Sequence, residues 1–105
     1  MSEPLVMIVR VVPKPGQSAA VLAVLEELVP IVHEEEGCER YSLNVQDNGD
    51  IYFIERWASA ADAERHGTSS SILPTLGEKA TPLLERMPEI ITLTPHPVGG
   101  PKGAI

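Results

Sequence analysis

The segment LVMIVRVV at residues 5–12 constrains the fold most, because seven of its eight side chains are apolar. Pro4 precedes it and the sequence PKPG follows at residues 13–16, so the segment is predicted to be one bounded strand. Successive side chains of a strand point to opposite faces of its sheet, and this strand is apolar on both faces. Both faces of the sheet must therefore be covered.

The size and composition of the chain indicate one globular domain. Its 105 residues can form one core but not two, and 43% of them are hydrophobic. The longest apolar run, residues 19–25, is too short to span a membrane, and residues 1–10 show no secretory leader. We predict a cytoplasmic protein, which agrees with a single cysteine and no possible intramolecular disulfide.

Charge and ligand chemistry argue against several classes of partner. The net charge of −7 disfavours nucleic acid and anionic membranes. His33, Glu36 and Cys38 could converge at a helix end, but no second motif supplies further metal ligands. We therefore predict no metal site, and a small core residue rather than a nucleophile at Cys38.

The next two elements are a helix and a hairpin. Residues 17–36 have helical periodicity, with Ser18 as the expected N-cap, Pro30 as an expected kink and Gly37 as the stop; the apolar stripe is Val21, Leu25, Leu28 and Val32. Residues 41–45 and 51–57 are predicted strands, and the sequence DNGD at residues 47–50 supplies the turn between them.

The second half repeats the helix–strand pattern. Ser59 is predicted to cap a short helix that the sequence GTSSS at residues 67–71 ends. A further helix is expected from Ile72 to about Pro82, and residues 89–94 form the last strand. We place one domain at residues 1–95 and a Pro/Gly-rich tail without a packing pattern at residues 96–105.

The resulting βαββαβ order predicts an α+β, ferredoxin-like fold: an antiparallel four-stranded sheet with its helices on one face. These helices can cover only one side of the first strand, so a monomer would expose an apolar sheet face. We therefore expect a homodimer in which two sheets pack face to face.

Candidate functional residues lie on the third strand and the helix after it. The two-residue period puts Glu55 and Trp57 on one face of the strand, and His66 falls near the end of the next helix. Trp57 could instead be a core side chain and His66 a helix-end residue that complements the helix dipole. The pattern alone leaves both interpretations open.

Three segments resemble the antibiotic biosynthesis monooxygenase domain, in particular its quinol monooxygenase branch. These are VPKPGQ at residues 12–17, LVPIVHEEEGCERY at residues 28–41, and IERWAS at residues 54–59 followed by His66. The resemblance covers about nine tenths of the chain, from Val6 to about Thr94, and the step from Trp57 to His66 matches the family's spacing. It implies a dimeric α+β barrel with a pocket between sheet and helices.

The resemblance also implies an activity: oxidation of a small aromatic quinol or polyphenol by molecular oxygen, with no flavin, haem or metal cofactor. In this interpretation His66 accepts the phenolic proton, Trp57 stacks on the ring, and Tyr41 or Glu55 orients it. A non-catalytic dimer that binds a small hydrophobic ligand is the main alternative. Haem degradation ranks lower because the first strand lacks the Asn of that branch. The chain reads TSSSILP where many relatives have a Ser-Pro-His segment, so no residue carries any role of that second His.

Overall fold

A computed structural model describes residues 3–105 of the chain. The main elements follow the order β1 (Leu5–Val11), α1 (Ser18–His33), β2 (Cys38–Val45), β3 (Ile51–Trp57), α2 (Ala60–Ser69) and β4 (Glu89–Leu93). Residues 73–83 form three consecutive helical turns: α3 (Leu73–Thr75), a π-helical turn (Leu76–Ala80) and a 3-10 turn (Thr81–Leu83). Within residues 3–105, no helix combines the length and the hydrophobicity that a membrane crossing needs.

The four strands form one antiparallel sheet in the order β2-β3-β1-β4. The apolar strand β1 lies in the interior of the sheet, between β3 and β4, where both of its edges are hydrogen-bonded. The predicted α+β, ferredoxin-like fold is confirmed.

The helices cover one face of the sheet, which we call the inner face. On β3 the buried residues alternate with half-buried ones, and the buried ones are Ile51, Phe53, Glu55 and Trp57. The predicted stripe of α1 packs on them, and all four of its members are buried: Val21, Leu25, Leu28 and Val32. Burying an aliphatic or aromatic side chain of this size contributes about 1.5–3 kcal/mol, so this layer forms the core of the fold.

The opposite face, which we call the outer face, carries a row of aligned side chains. Ile8 of β1 pairs with Ile54 of β3 on one side and with Ile91 of β4 on the other. Ile91 is 55% exposed. Arg10 also lies on this face, where Asp50 and Glu89 accept hydrogen bonds from its guanidinium at 2.7 and 3.0 Å. The outer face is therefore partly apolar, and no α-helix of residues 3–105 lies over it.

The C-terminal tail lies against one corner of the outer face. Its residues border the same small pocket as Val6 and Leu93, and Arg56 donates a hydrogen bond to the carbonyl of Ile105 at 3.1 Å. Val6 is 3% exposed. The tail, which shows no packing pattern in the sequence, thus contacts the sheet.

The predicted ends of α1 are wrong on both sides. Gln17 occupies the N-cap position, and the hydroxyl of Ser18 donates to the carbonyl of Gly49 at 2.8 Å instead of capping the helix. The helix passes through Pro30 and ends at His33. Three successive glutamates follow, and their negative charge opposes continuation of the helix because its C-terminal end is itself negative.

The start of α2 is predicted correctly, and its end lies within the predicted breaker segment. The hydroxyl of Ser59 accepts a hydrogen bond from the backbone N–H of Asp62 at 3.1 Å, which confirms the predicted cap. The helix includes Gly67 and ends at Ser69. The residues that follow it form three short turns of different type, where one continuous helix was expected.

Candidate functional site

A cavity of about 430 Å³ lies between the inner face of the sheet and the helical segments α1, α2 and 73–83. Most of the side chains around it are apolar: Met7, Val9, Val11, Leu25, Phe53, Ala63, Leu73, Leu76, Ala80, Leu84, Met87, Pro88 and Ile90. Four polar side chains also border it, namely Tyr41, Glu55, His66 and Thr81. An apolar space with a few polar groups is typical of a small-molecule site.

Glu55 is a buried acid on the wall of this cavity, with only 2% of its surface exposed. It accepts a hydrogen bond from the indole N–H of Trp57 at 2.9 Å, two residues further along β3. Burial raises the pKa of Glu55, because removing a carboxylate from water disfavours its charged form. The Trp57 hydrogen bond and the nearby imidazole of His66 oppose that rise in pKa.

His66 lies in the last turn of α2 and reaches both the cavity and a polar pocket behind it. Its ring stacks on the ring of Trp57, with centroids 4.8 Å apart and planes 28° apart. Its Nδ1 lies 2.8 Å from Oε1 of Glu35, in the turn between α1 and β2. The imidazole is therefore held on one face by an indole and at one nitrogen by a carboxylate.

Tyr41 of β2 completes the polar side of the cavity. Its ring meets the edge of His66 at a centroid distance of 5.4 Å and stacks on Phe53 at 4.5 Å. Burial raises the pKa of Tyr41 well above its ordinary value, with the charges of Glu55 and Glu35 acting in the same direction. Tyr41 is thus a neutral phenol that can exchange hydrogen bonds with a ligand.

Trp57 is not among the side chains that border the cavity, and stacking of its indole on a substrate ring stays a prediction. The side chain is fully buried behind Glu55 and His66, and its aromatic face is in contact with the imidazole. The strand alternation correctly placed Glu55 and Trp57 on one face. It could not show that Trp57 supports the other two side chains from behind.

Sequence reasoning missed two polar residues, Glu35 and Ser70. Glu35 accepts hydrogen bonds at both carboxylate oxygens: Oε1 faces His66, and the hydroxyl of Ser70 donates to Oε2. The run of three glutamates suggested a solvated helix end; Glu34 and Glu36 are exposed, and only Glu35 is half-buried. The neighbouring Gly37 was a usable signal, because a glycine stop often marks a tightly packed turn.

The residues weighed as metal ligands have other surroundings. His33 Nε2 lies 3.0 Å from the backbone carbonyl of Tyr41, and Glu36 pairs with Arg65. Cys38 is half-buried against the core, and burial raises the pKa of its thiol. Across residues 3–105, no three His, Cys, Asp or Glu side chains are grouped closely enough to hold a metal ion.

Comparison with known proteins identifies related chains. Residues 4–73 match the family model described as antibiotic biosynthesis monooxygenase. The Rv0793 protein of Mycobacterium tuberculosis, provisionally named a monooxygenase, is 30% identical over 74 residues, which cover 70% of this chain and 73% of that protein.

Solved structures share the fold over almost the whole chain. The structure of Rv0793 superposes with a TM-score of 0.78, covering 93% of this chain and 100% of that one at 23% identity. PA3566 from Pseudomonas aeruginosa gives a TM-score of 0.76 at 30% identity, covering 90% and 95% of the two chains. NE2512 from Nitrosomonas europaea, a protein of unknown function, gives 0.80 at 24% identity, with 93% and 94% covered.

The family match covers two thirds of the chain and includes β1, β2, β3, α1 and α2 with His66. The chain belongs to the antibiotic biosynthesis monooxygenase family.

Proposed function

We propose that the protein is a monooxygenase that oxidises a small aromatic quinol or polyphenol with molecular oxygen and needs no organic cofactor or metal. One oxygen atom enters a ring carbon and the other leaves as water. The electrons that reduce oxygen come from the substrate, which ends as a hydroxyquinone. An electron-rich phenolate can reduce oxygen itself, so the protein needs only to bind, desolvate and deprotonate it.

The arrangement around His66 carries this proposal. An imidazole lies on the wall of an apolar cavity beside the neutral phenol of Tyr41 and the buried carboxyl of Glu55. In the proposed complex His66 accepts the phenolic proton, while Tyr41 and Glu55 hydrogen-bond to the substrate oxygens. The apolar side chains hold the ring system and exclude water from the reacting carbon.

Trp57 has a supporting role in this proposal. Its stacking on His66 and its hydrogen bond to Glu55 fix the two polar groups relative to each other. The substrate ring then packs on aliphatic side chains and Phe53, which line the cavity where an indole was expected.

The test is oxygen consumption by metal-free protein with a panel of hydroquinones and polyphenols. We expect turnover above the spontaneous rate, and His66→Ala should lower it by about 10²-fold or more, as removal of a positioned general base does. His96→Ala is the matched control, since His96 is exposed in the C-terminal tail. Equal rates for the two variants would contradict the role of His66.

A binding function without catalysis is the second candidate, and the predominance of apolar side chains around the cavity favours it. Such a protein would bind small hydrophobic ligands and consume no oxygen above the spontaneous rate. Calorimetric titration of the same hydroquinones distinguishes the two functions: saturable binding without oxygen consumption would replace the enzyme by a binding module.

A further inference from the structure

We propose that Glu35 is a positioning residue that holds His66 in the tautomer protonated at Nδ1, which leaves Nε2 free to accept a proton from a ligand in the cavity. This inference rests on the proposed function, because it assigns a role to the same imidazole. The two residues are far apart in sequence, and the fold brings Glu35 Oε1 to 2.8 Å from His66 Nδ1.

The hydrogen-bond partners determine the tautomer. A carboxylate oxygen can only accept, so the short contact requires a proton on Nδ1 of His66. A neutral imidazole carries one ring proton, and Nε2 is then an acceptor. Within residues 3–105, Nε2 of His66 has no protein hydrogen-bond partner, whereas the ring borders the cavity. Nε2 is therefore the ring nitrogen that can accept a proton.

Glu35 is itself fixed by its surroundings. The hydroxyl of Ser70 donates to its second oxygen, and the same hydroxyl accepts from the backbone N–H of Ile72 at 3.3 Å. The serine thus ties the carboxylate to the chain segment directly after α2. A chain of serine, glutamate and histidine results, in which each group restricts the orientation of the next.

The turn that carries Glu35 is also packed against α2. Gly37 has a φ of +80°, and a side chain at this position would collide with the carboxylate of Asp62. Arg65 of α2 pairs with Glu36 at 3.5 Å, and the carbonyl of Glu35 accepts from the N–H of Cys38 at 3.1 Å. The approach of the turn to α2 is therefore close enough to bring a glutamate side chain to the ring of His66.

The direct test is nitrogen-15 NMR of the imidazole, which distinguishes the two neutral tautomers by their ring-nitrogen shifts. Spectra are recorded in alkaline buffer, where imidazole is neutral, with His66→Ala used to assign the signals. We expect the Nδ1–H tautomer in the wild-type protein and a mixture of tautomers in Glu35→Leu, which has no acceptor. Glu34→Leu is the matched control, because Glu34 is an exposed neighbour of Glu35.

Either of two spectral results would overturn the proposal: a predominant Nε2–H tautomer in the wild-type protein, or an unchanged tautomer in Glu35→Leu. The measurement needs no substrate. A protein that consumes no oxygen but shows the Nδ1–H tautomer would therefore refute the proposed function and leave the role of Glu35 intact.

A kinetic cycle tests the same role by a separate route in protein that turns over. Glu35→Leu should lower kcat by about 10- to 100-fold with little change in KM, the range found for groups that orient metal-bound histidines. In the His66→Ala background the same change should have no further effect, since the residue acts through the imidazole. If Glu35→Leu lowered kcat by the same factor in both backgrounds, Glu35 would have a general structural role, and the assignment of a positioning role would be overturned.

Discussion

At the scale of single residues, Glu55 and Trp57 form a buried pair, in which a hydrogen bond from Trp57 reduces the cost of burying the Glu55 carboxyl. An acid with 2% exposure lies in a largely apolar layer, and the indole N–H of Trp57 donates to it. A carboxyl buried without a donor costs several kcal/mol or remains protonated. The position of the single Trp of the chain is therefore explained by its indole N–H as well as by the size of its ring.

The raised pKa of Glu55 gives the stability a defined pH dependence. An acid whose folded-state pKa lies above its unfolded value stabilises the fold while it is protonated. This contribution is fully present at pH values below the pKa that Glu55 has in the unfolded chain. It is lost as the pH rises from that value through the pKa that Glu55 has in the folded protein. We predict that Glu55→Gln removes this loss. Over this pH range, the unfolding free energy of the variant should therefore fall less than that of the wild-type protein.

Urea titrations at a series of pH values check this prediction. Glu78→Gln is a suitable control, because Glu78 is exposed on the π-helical turn. Parallel pH profiles for the wild-type protein and Glu55→Gln would contradict the assignment of the raised pKa to Glu55.

We predict that Trp57→Phe destabilises the fold by about 1–3 kcal/mol, because it leaves the Glu55 carboxyl without a donor. The same substitution should raise the pKa of Glu55 further, since the indole hydrogen bond lowers it. Unfolding free energies in urea measure the loss. In a Glu55→Gln background, Trp57→Phe should cost less, and an equal cost in both backgrounds would assign the effect to packing alone.

The sequence allowed part of this residue-level picture to be predicted. Strand alternation placed Glu55 and Trp57 on the buried face, and the spacing to His66 brought imidazole and indole together. The contribution of Glu35 was not predictable in this way. It depends on a contact across 31 residues of sequence, between a turn and a helix end, which no local periodicity encodes.

At the scale of elements, the turn between α1 and β2 depends on Gly37 for two separate reasons. Its backbone adopts a φ of +80°, and the side chain of Asp62 occupies the position that a Cβ atom would need. Asp62 cannot easily move away, because its carboxylate accepts from Arg65 at 2.7 Å and from Ser59 at 2.9 Å.

We predict that Gly37→Ala is more destabilising than Gly16→Ala. Gly16 has nearly the same φ, +79°, but no atom near its Cβ position, so alanine there should cost only the roughly 1–2 kcal/mol of a left-handed backbone. Gly37→Ala adds the displacement of Asp62 and should cost about 1–3 kcal/mol more, as overpacking does. Thermal and urea unfolding measure the loss of stability in both variants. Equal losses would show that the side chain of Asp62 moves aside at no energetic cost.

Element boundaries show where local sequence signals compete with tertiary contacts. Ser18 has the chemistry of an N-cap, yet its hydroxyl is used by the carbonyl of Gly49 in the β2–β3 hairpin. Glycine commonly ends a helix, yet α2 continues past Gly67 to Ser69. The backbone N–H of Ser70 then donates to the carbonyl of His66. The strands were easier to predict, because their apolar or alternating pattern extends over whole segments.

At the scale of the whole molecule, the outer face has apolar residues that no α-helix of residues 3–105 covers. Ile91 and Leu93 of β4 are 55% and 40% exposed, beside Ile8 and Val6 of β1. We propose that a second copy of the chain covers this face in a homodimer, which buries the aligned isoleucine row. The sequence predicted the need for a cover from β1 alone, but not that the tail covers one corner.

We predict a dimer by light scattering at micromolar concentration, and Ile91→Glu should shift it towards monomer by placing a charge in the apolar interface. Val45→Glu is the matched control: Val45 is similarly exposed, at 52%, but lies on the inner side of the sheet, opposite Ile51. A wild-type protein that remains a monomer of 11.3 kDa would contradict the proposal.

The π-helical turn at Leu76–Ala80 has a consequence for the evolution of the cavity. A π-helical turn holds one residue more than an α-helical turn. Removing one residue would restore regular winding, and the residues after the turn would keep nearly the same orientation, because a π-helical turn takes up its extra residue locally. Leu76 and Ala80, at the two ends of the turn, both border the cavity, so such a deletion would shorten the segment that lines it and leave the rest of the wall in place. A change in length here could alter ligand choice without any substitution in the sheet.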